Sequence, residues 1–184
     1  MNKKIDKTLL CDAKVDNILL YLKEAVNFPG ATAEMGVYKG GISKLIAENN
    51  NGKLHYAFDT FEGIINVGDN DNDILDIFKK VNFNAISELL SADNIRIIKG
   101  YFPDTVSKYE MPLDYCFVHF DGDTYQSMID SIDYFIPRLV PGGIMIIDDY
   151  NRNCCKGIKT AINEKGIQVT ELRKGQGLYI KPCR

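Results

Sequence analysis

Residues 117–127 read FVHFDGDTYQS, and residues 139–150 read LVPGGIMIIDDY. Each stretch contains an apolar run of the length of a buried strand, and each run ends in aspartates. A helical pattern over residues 125–139 separates the two runs, which makes them a strand–helix–strand unit. Such a unit predicts two parallel strands whose carboxyl ends, at Asp121 and Asp148, lie close together at one edge of a sheet.

The same alternation of short apolar runs and helical patterns extends through the chain. Strands are predicted at 31–35, 54–58, 95–99, 113–120, 144–147, 168–173 and 177–181, and helices at 7–26, 41–48, 73–90, 125–139 and 154–165. Only residues 174–176 join the last two strands, so this pair must be antiparallel, because a parallel crossover needs a dozen or more residues. We therefore predict an α/β fold: a mostly parallel sheet of seven strands that ends in an antiparallel pair and has helices on both faces.

Length and composition restrict the class of protein. The chain has 184 residues and a formal charge of −3, and 45% of its residues are hydrophobic. These values predict one domain over 1–184, with an amino-terminal helical segment at 1–28 and a catalytic core at 29–184. The acidic balance disfavours nucleic acid as a partner, and no apolar run is long enough for a membrane helix. The lack of a signal-like start and the odd number of cysteines, 5, favour a reducing, cytoplasmic setting.

The first two predicted strands end in carboxylates. Glu34 closes the first strand and is followed by Gly36, where the absence of a β-carbon allows a ligand to approach the backbone. Asp59 follows the second strand, a position at which a carboxylate can accept hydrogen bonds from the hydroxyls of an unphosphorylated ribose. A purely structural glycine turn and a solvated Asp59 are the simpler alternatives. A glutamate at this turn is unfavourable for a pyrophosphate and suits a ligand with an amino group.

A second group of carboxylates follows the two strands quoted first. Asp121, Asp148 and Asp149 would form an oxygen-rich site suited to Mg²⁺. His119 lies two residues before Asp121, and both a buried structural role and a catalytic role are open for it. Asp123 is interpreted as a helix cap somewhat more readily than as a ligand. The Asp148–Asp149 pair has a simple turn cap as its alternative.

Six segments together resemble the macrocin O-methyltransferase family, S-adenosylmethionine-dependent enzymes that methylate sugar hydroxyls of macrolides and phenols of aminocoumarins. They are AEMGVYKGG (33–41), FDTFEG (58–63), KGYFPDT (99–105), FVHFDGDTYQS, LVPGGIMIIDDY and CKGIKTA (155–161). The resemblance implies a Rossmann-like methyltransferase fold, a seven-stranded, mostly parallel sheet with one antiparallel strand near its edge and helices on both faces. The acidic arrangement is also similar to that of catechol-type methyltransferases, in which such aspartates hold magnesium.

The resemblance also implies a role for each matching residue. Glu34 and Gly36 would face the methionine part of S-adenosylmethionine, Asp59 would bind its ribose, and Thr60, Phe61, Gly100 and Tyr101 would border its adenine. Asp121, Asp148 and Asp149 would hold Mg²⁺, and Asp121 or His119 would accept the substrate's proton.

We expect a Mg²⁺-dependent O-methyltransferase that acts on a hydroxyl of a small molecule (a sugar, a vicinal diol or a phenol). A homo-oligomeric state is open. Two other classes stay open: a nicotinamide-dependent oxidoreductase and a non-catalytic domain that binds the cofactor. Glu34 and the closing hairpin argue against the first, and the acidic triad argues against the second.

Overall fold

A seven-stranded sheet with the order β3-β2-β1-β4-β5-β7-β6 forms the centre of the protein. The computed structural model describes residues 7–64 and 81–183. The strands are β1 (Ala31–Met35), β2 (His55–Asp59), β3 (Ile95–Lys99), β4 (Tyr115–Phe120), β5 (Leu139–Ile147), β6 (Thr170–Glu171) and β7 (Gly177–Ile180). The first five run parallel, and β7 pairs antiparallel with both β5 and β6. The predicted sheet, with its single reversed strand near the edge, is confirmed.

Five α-helices cover the two faces of this sheet. They are α1 (Asp12–Ala25), α2 (Gly41–Asn49), α3 (Phe83–Leu89), α4 (Tyr125–Arg138) and α5 (Lys156–Glu164). The part of the predicted 73–90 helix that precedes residue 81 lies outside the described residues. Within the described ranges, no helix is both long and apolar enough to cross a membrane.

The central strands supply side chains to two separate hydrophobic layers. Along β5, Met145 and Ile147 pack into the layer that contains α4 and α5, whereas Ile144 and Ile146 pack into the layer that contains α1 and α2. This alternation is the period-two pattern of a strand that is buried on both faces. Because every central strand is buried in this way, polar side chains accumulate where the strands end.

Several predicted boundaries were wrong by a few residues. Helix α1 begins at Asp12 instead of residue 7, and β5 begins at Leu139 instead of residue 144. The start of β5 continues through the Pro–Gly–Gly turn because Gly142 N–H donates to Lys181 O at 2.9 Å and Lys181 N–H donates to Gly143 O at 2.9 Å. Backbone pairing with a distant residue thus turned a predicted turn into a strand.

Candidate functional site

A cavity of about 430 Å³ opens at the carboxyl ends of β1, β2, β4 and β5. Parallel sheets place their ligand sites at this edge. All seven residues that the sequence assigned to cofactor binding line this cavity: Glu34, Gly36, Asp59, Thr60, Phe61, Gly100 and Tyr101. Asp121, Asp123, Asp148 and Asp149 line it too, and so do residues 7–10 and Lys14 from the amino-terminal segment.

Gly36 allows the backbones after β1 and β4 to come together. Its φ is +89°, and a β-carbon there would lie 2.0 Å from Asp121 O. The Asp121 N–H donates to Met35 O at 2.7 Å, and the Gly36 N–H donates to Phe58 O at 2.9 Å. Gly36 is therefore required because another backbone segment lies against it. The sequence analysis had explained this glycine by the approach of a ligand, and contact with protein backbone is the stronger constraint.

Asp59 joins the two loops that follow β1 and β2. Its Oδ2 accepts from Val37 N–H at 2.7 Å and from Tyr38 N–H at 2.8 Å, and its Oδ1 accepts from Phe61 N–H at 2.7 Å. An ionised carboxylate has about four acceptor positions. Backbone N–H groups take three of these positions, which leaves about one for a further donor.

Glu34 is held on both of its oxygens. It is 1% exposed, its Oε1 lies 2.9 Å from His119 Nδ1, and its Oε2 accepts from the Ser43 hydroxyl. Burial raises the pKa of Glu34, and the hydrogen bonds and charge of His119 oppose that rise. These contacts fix the orientation of the carboxyl group at the wall of the cavity.

The structure places His119 behind this wall. The ring is fully buried and is absent from the cavity lining, and its Nε2 has no hydrogen-bond partner among the described residues. In this position His119 contacts Glu34, as the buried structural alternative expects, and its catalytic role stays a prediction.

Three carboxylates approach one another at the ends of β4 and β5. Asp121, Asp123 and Asp149 each offer an oxygen atom within 4.8 Å of the others. Burial, followed by the charge of Asp148, raises the pKa of Asp121 well above its ordinary value. Burial and the charge of Asp149 raise the pKa of Asp123 to about 7. Clustered acids that resist ionisation are typical of sites that receive a cation or exchange a proton.

This set differs by one residue from the predicted triad. The Asp148 Oδ2 accepts from Lys14 Nζ at 2.5 Å and its Oδ1 accepts from Gln176 Nε2 at 2.8 Å, so each of its oxygens is engaged by a side chain outside the cluster. Asp123 takes its place in the cluster. The cap interpretation of Asp123 was wrong, because Thr124 is the N-cap of α4 and accepts from Ser127 N–H at 3.2 Å.

Lys14 is the functional residue that the sequence reasoning missed. Its ammonium also donates to Asp149 Oδ1 at 2.6 Å. Burial alone lowers the pKa of Lys14, but the charges and hydrogen bonds of Asp148 and Asp149 outweigh it and raise the pKa to about 12. The pKa of Asp149 is lowered, because Lys14 and Arg152 outweigh the effect of its burial. Nothing in the local sequence around Lys14 signals this contact.

Two thiols adjoin the same carboxylates. Cys155 Sγ lies 3.7 Å from Asp149 Oδ2, and Cys154 Sγ lies 3.4 Å from Cys155 Sγ. Burial raises the pKa of the Cys155 thiol far above its ordinary value. The thiol is therefore protonated at neutral pH, so any negative charge of the cluster lies on its carboxylates.

The comparisons with known proteins decide the family. A family model described as macrocin-O-methyltransferase (TylF) matches residues 4–173. The chain belongs to the macrocin-O-methyltransferase family. Among solved structures, this family member is similar to the O-methyltransferase NovP, with a TM-score of 0.83 at 21% identity over 96% of this chain and 83% of that one. It is also similar to the calicheamicin methyltransferase CalS11, with a TM-score of 0.72 at 18% identity over 93% of this chain and 80% of that one. These likenesses confirm the Rossmann-like fold.

The names of two curated relatives describe O-methyltransferases of natural products. This family member is 31% identical, over 78% of its length, to 8-demethyl-8-(2,3-dimethoxy-alpha-L-rhamnosyl)-tetracenomycin-C 4'-O-methyltransferase of Streptomyces olivaceus, of which the match covers 62%. It is 28% identical, over 85% of its length, to demethyldecarbamoylnovobiocin O-methyltransferase of Streptomyces niveus, of which the match covers 66%. The chain thus spans less than two thirds of the length of these two relatives.

Proposed function

We propose that this protein is an S-adenosylmethionine-dependent O-methyltransferase acting on a hydroxyl of a small molecule, namely a sugar, a vicinal diol or a phenol. The observation that carries the proposal is the meeting, in one cavity, of all seven expected cofactor residues with an acidic cluster. The names of the family and of its curated relatives support the same reaction. We further propose that residues 29–184 form the catalytic core of one domain over residues 1–184. We also propose that the protein acts in the cytoplasm. Its oligomeric state is a separate question, which a measurement of its mass in solution answers.

The residues around the cavity suit S-adenosylmethionine. A fixed carboxyl at Glu34 suits its amino group, and the remaining acceptor position of Asp59 suits a ribose hydroxyl. Phe61 and Tyr101 present aromatic surface on which an adenine can pack. When bound, the cofactor supplies an electrophilic methyl group on a sulfonium. The chain holds it beside the acidic cluster and excludes water with the apolar part of the lining.

The acidic cluster suits a divalent cation such as Mg²⁺. Asp121, Asp123 and Asp149 converge, and Asp148 lies beside them. Lys14 and Arg152 offset two of these four charges, which leaves an excess of two when all are ionised. We assign Asp121, Asp123 and Asp149 as the metal-holding residues, with oxygen ligands of the kind Mg²⁺ prefers. A bound ion would favour the ionised form of a substrate hydroxyl, and two adjacent hydroxyls would chelate best.

Asp121 is our candidate for the proton acceptor. Its carboxyl lies at the cavity, and its raised pKa reflects burial and neighbouring negative charges. Orientation of the hydroxyl toward the cofactor supplies the rest of the rate, since in-line positioning is worth several kcal/mol.

Calorimetry with S-adenosylhomocysteine, with and without Mg²⁺, tests the binding part. Release of S-adenosylhomocysteine with a panel of sugars, vicinal diols and phenols tests the transfer. Asp121→Asn should lower turnover by about a hundredfold or more and leave the affinity for S-adenosylhomocysteine nearly unchanged. Asp133→Asn is the matched control, because Asp133 is exposed and pairs with Lys165 on the surface. An equal loss of affinity and turnover would contradict the roles, and binding without any turnover would favour a non-catalytic domain.

A further inference from the structure

Lys14 reaches the acidic cluster from the opposite end of the chain. It lies on α1, is 8% exposed, and places its ammonium 2.5 Å from Asp148 Oδ2 and 2.6 Å from Asp149 Oδ1. Buried charges are costly unless they are paired, so this lysine and the aspartate pair hold one another in place. A cation therefore already sits between the two carboxylates that the sequence assigned to a metal.

A second contact from α1 secures the same aspartate. Asn17, one helical turn after Lys14, donates from Nδ2 to Gln176 Oε1 at 2.8 Å. Gln176 is fully buried and donates from Nε2 to the remaining oxygen of Asp148 at 2.8 Å. Both oxygens of Asp148 are thus held by a network that begins on α1, and neither points freely into the cluster.

The position of α1 also bears on the cavity. Residues 7–10, which lead directly into α1, line the cavity beside Gly36 and Asp59. The segment that leads into the helix of Lys14 thus forms part of the cavity lining.

We propose that Lys14 is a built-in counter-cation that competes with a divalent ion for the Asp148–Asp149 pair, and so couples the docking of α1 to the ion content of the cluster. While Lys14 is docked, its ammonium occupies a position on one oxygen of each aspartate, and its positive charge repels an ion that approaches the pair. An ion that engages the whole pair must displace Lys14 and loosen the start of α1. The inference rests on the divalent site proposed above, but not on methyl transfer.

The test is a Mg²⁺ titration of the full chain by calorimetry. Lys14→Met should bind Mg²⁺ at least about tenfold more tightly than the original protein, because a competing unit charge in direct contact with the ligands is gone. Lys14→Arg keeps the charge and should keep the weak binding. Lys23→Met is the matched control, because Lys23 lies exposed on the same helix, away from the cluster. Unchanged or weaker binding by Lys14→Met would overturn the proposal.

Two further readouts keep the test decisive. In the original protein, saturating Mg²⁺ should speed hydrogen exchange in the first turns of α1, and no change would count against the competition. If Lys14→Met is unstable without metal, Mg²⁺ should raise its Tm by more than it raises the Tm of Lys23→Met, and equal shifts would overturn the idea. Absence of Mg²⁺ binding in every variant would also overturn it, whereas binding of S-adenosylhomocysteine in the same instrument would show that the cofactor proposal survives.

Discussion

Replacing Gly36 by alanine tests the most tightly constrained contact of the candidate site. The new β-carbon would lie 2.0 Å from Asp121 O and 2.6 Å from Asp121 C, and both atoms belong to the backbone. The φ of +89° adds a conformational penalty, since side-chain-bearing residues rarely adopt it. No side-chain rotation relieves this collision, so the backbones after β1 and β4 must separate.

Gly52→Ala is the matched control for the conformational penalty. Gly52 has a similar φ of +74°, and a β-carbon there meets nothing within 4 Å. We expect a loss of about 1 kcal/mol in the free energy of unfolding for Gly52→Ala, from backbone strain alone. For Gly36→Ala we expect about 3 kcal/mol, because the strain is joined by the cost of forcing packed backbone apart.

Urea unfolding followed by far-ultraviolet circular dichroism measures both losses. Calorimetry with S-adenosylhomocysteine provides a second readout, because displacement of the backbone at Asp121 moves the wall of the cavity. We expect Gly36→Ala to lose at least about tenfold in affinity, equivalent to 1.4 kcal/mol, and Gly52→Ala to lose none. Equal destabilisation by the two substitutions, or unchanged affinity in Gly36→Ala, would refute the reasoning.

Three further predictions concern buried side chains. Burial lowers the pKa of His55 from 6.5 to about 3, so the unfolded chain binds more protons between these values and stability falls as the pH falls. The loss of unfolding free energy from His55 should reach about 2 kcal/mol at pH 5. In urea unfolding, the free energy of unfolding of His55→Gln should therefore fall less between pH 7 and pH 5 than that of the original protein. Equal falls in the two proteins would contradict the assignment. Phe135→Ala should cost about 3–5 kcal/mol, because the fully buried ring packs among several aromatic rings, and a loss under about 1 kcal/mol in the same assay would show that the site collapses. Glu34→Gln should weaken S-adenosylhomocysteine binding about tenfold in calorimetry, whereas the exposed control Glu48→Gln should not, and equal affinities would remove Glu34 from the proposed cofactor site.

Much of the fold follows from local sequence because the parallel strands are short, apolar and separated by helices. The predicted strand at 95–99 agrees with β3 at both ends. The predicted strand boundaries were wrong where hydrogen bonds to a distant part of the backbone determine where a strand begins or ends. The final hairpin is an example: β6 has only two residues, Thr170–Glu171, because its pairing with β7 ends there. The strand propensity of the local sequence does not indicate where the partner strand begins and ends.

Helix α1 shows how tertiary packing overrides helical periodicity. Leu9 and Leu10 continue the apolar spacing of the helix, which is why residues 7–26 were predicted as one element. In the structure Cys11 is extended at the N-cap, and residues 7–10 line the cavity instead. The apolar side chains that suggested a longer helix thus line the cavity. Apolar periodicity alone does not distinguish side chains that line a cavity from side chains on the buried face of a helix.

The candidate site was predictable as a list of residues and not as a set of contacts. Parallel topology brings the residues at the ends of β1, β2 and β3 to one edge, which is why the seven cofactor candidates line one cavity. The contacts of the acidic residues depend on backbone angles and on side chains from distant elements. Asp123 and Asp149 have φ values of +61° and +53°. Such angles break the alternation of a strand, so side-chain direction could not be read from position in the sequence.

The charge balance of the cluster required information from a distant part of the chain. Asp148 and Lys14 are 134 residues apart, and their contact forms only when α1 packs beside β5. An acidic cluster identified from sequence therefore overstates the charge that a metal must neutralise, because lysines and arginines brought in by the fold offset part of it. Here Lys14 and Arg152 pair with Asp148 and Asp149, so the charge left for an ion to neutralise depends on how α1 and the segment after β5 pack against the cluster.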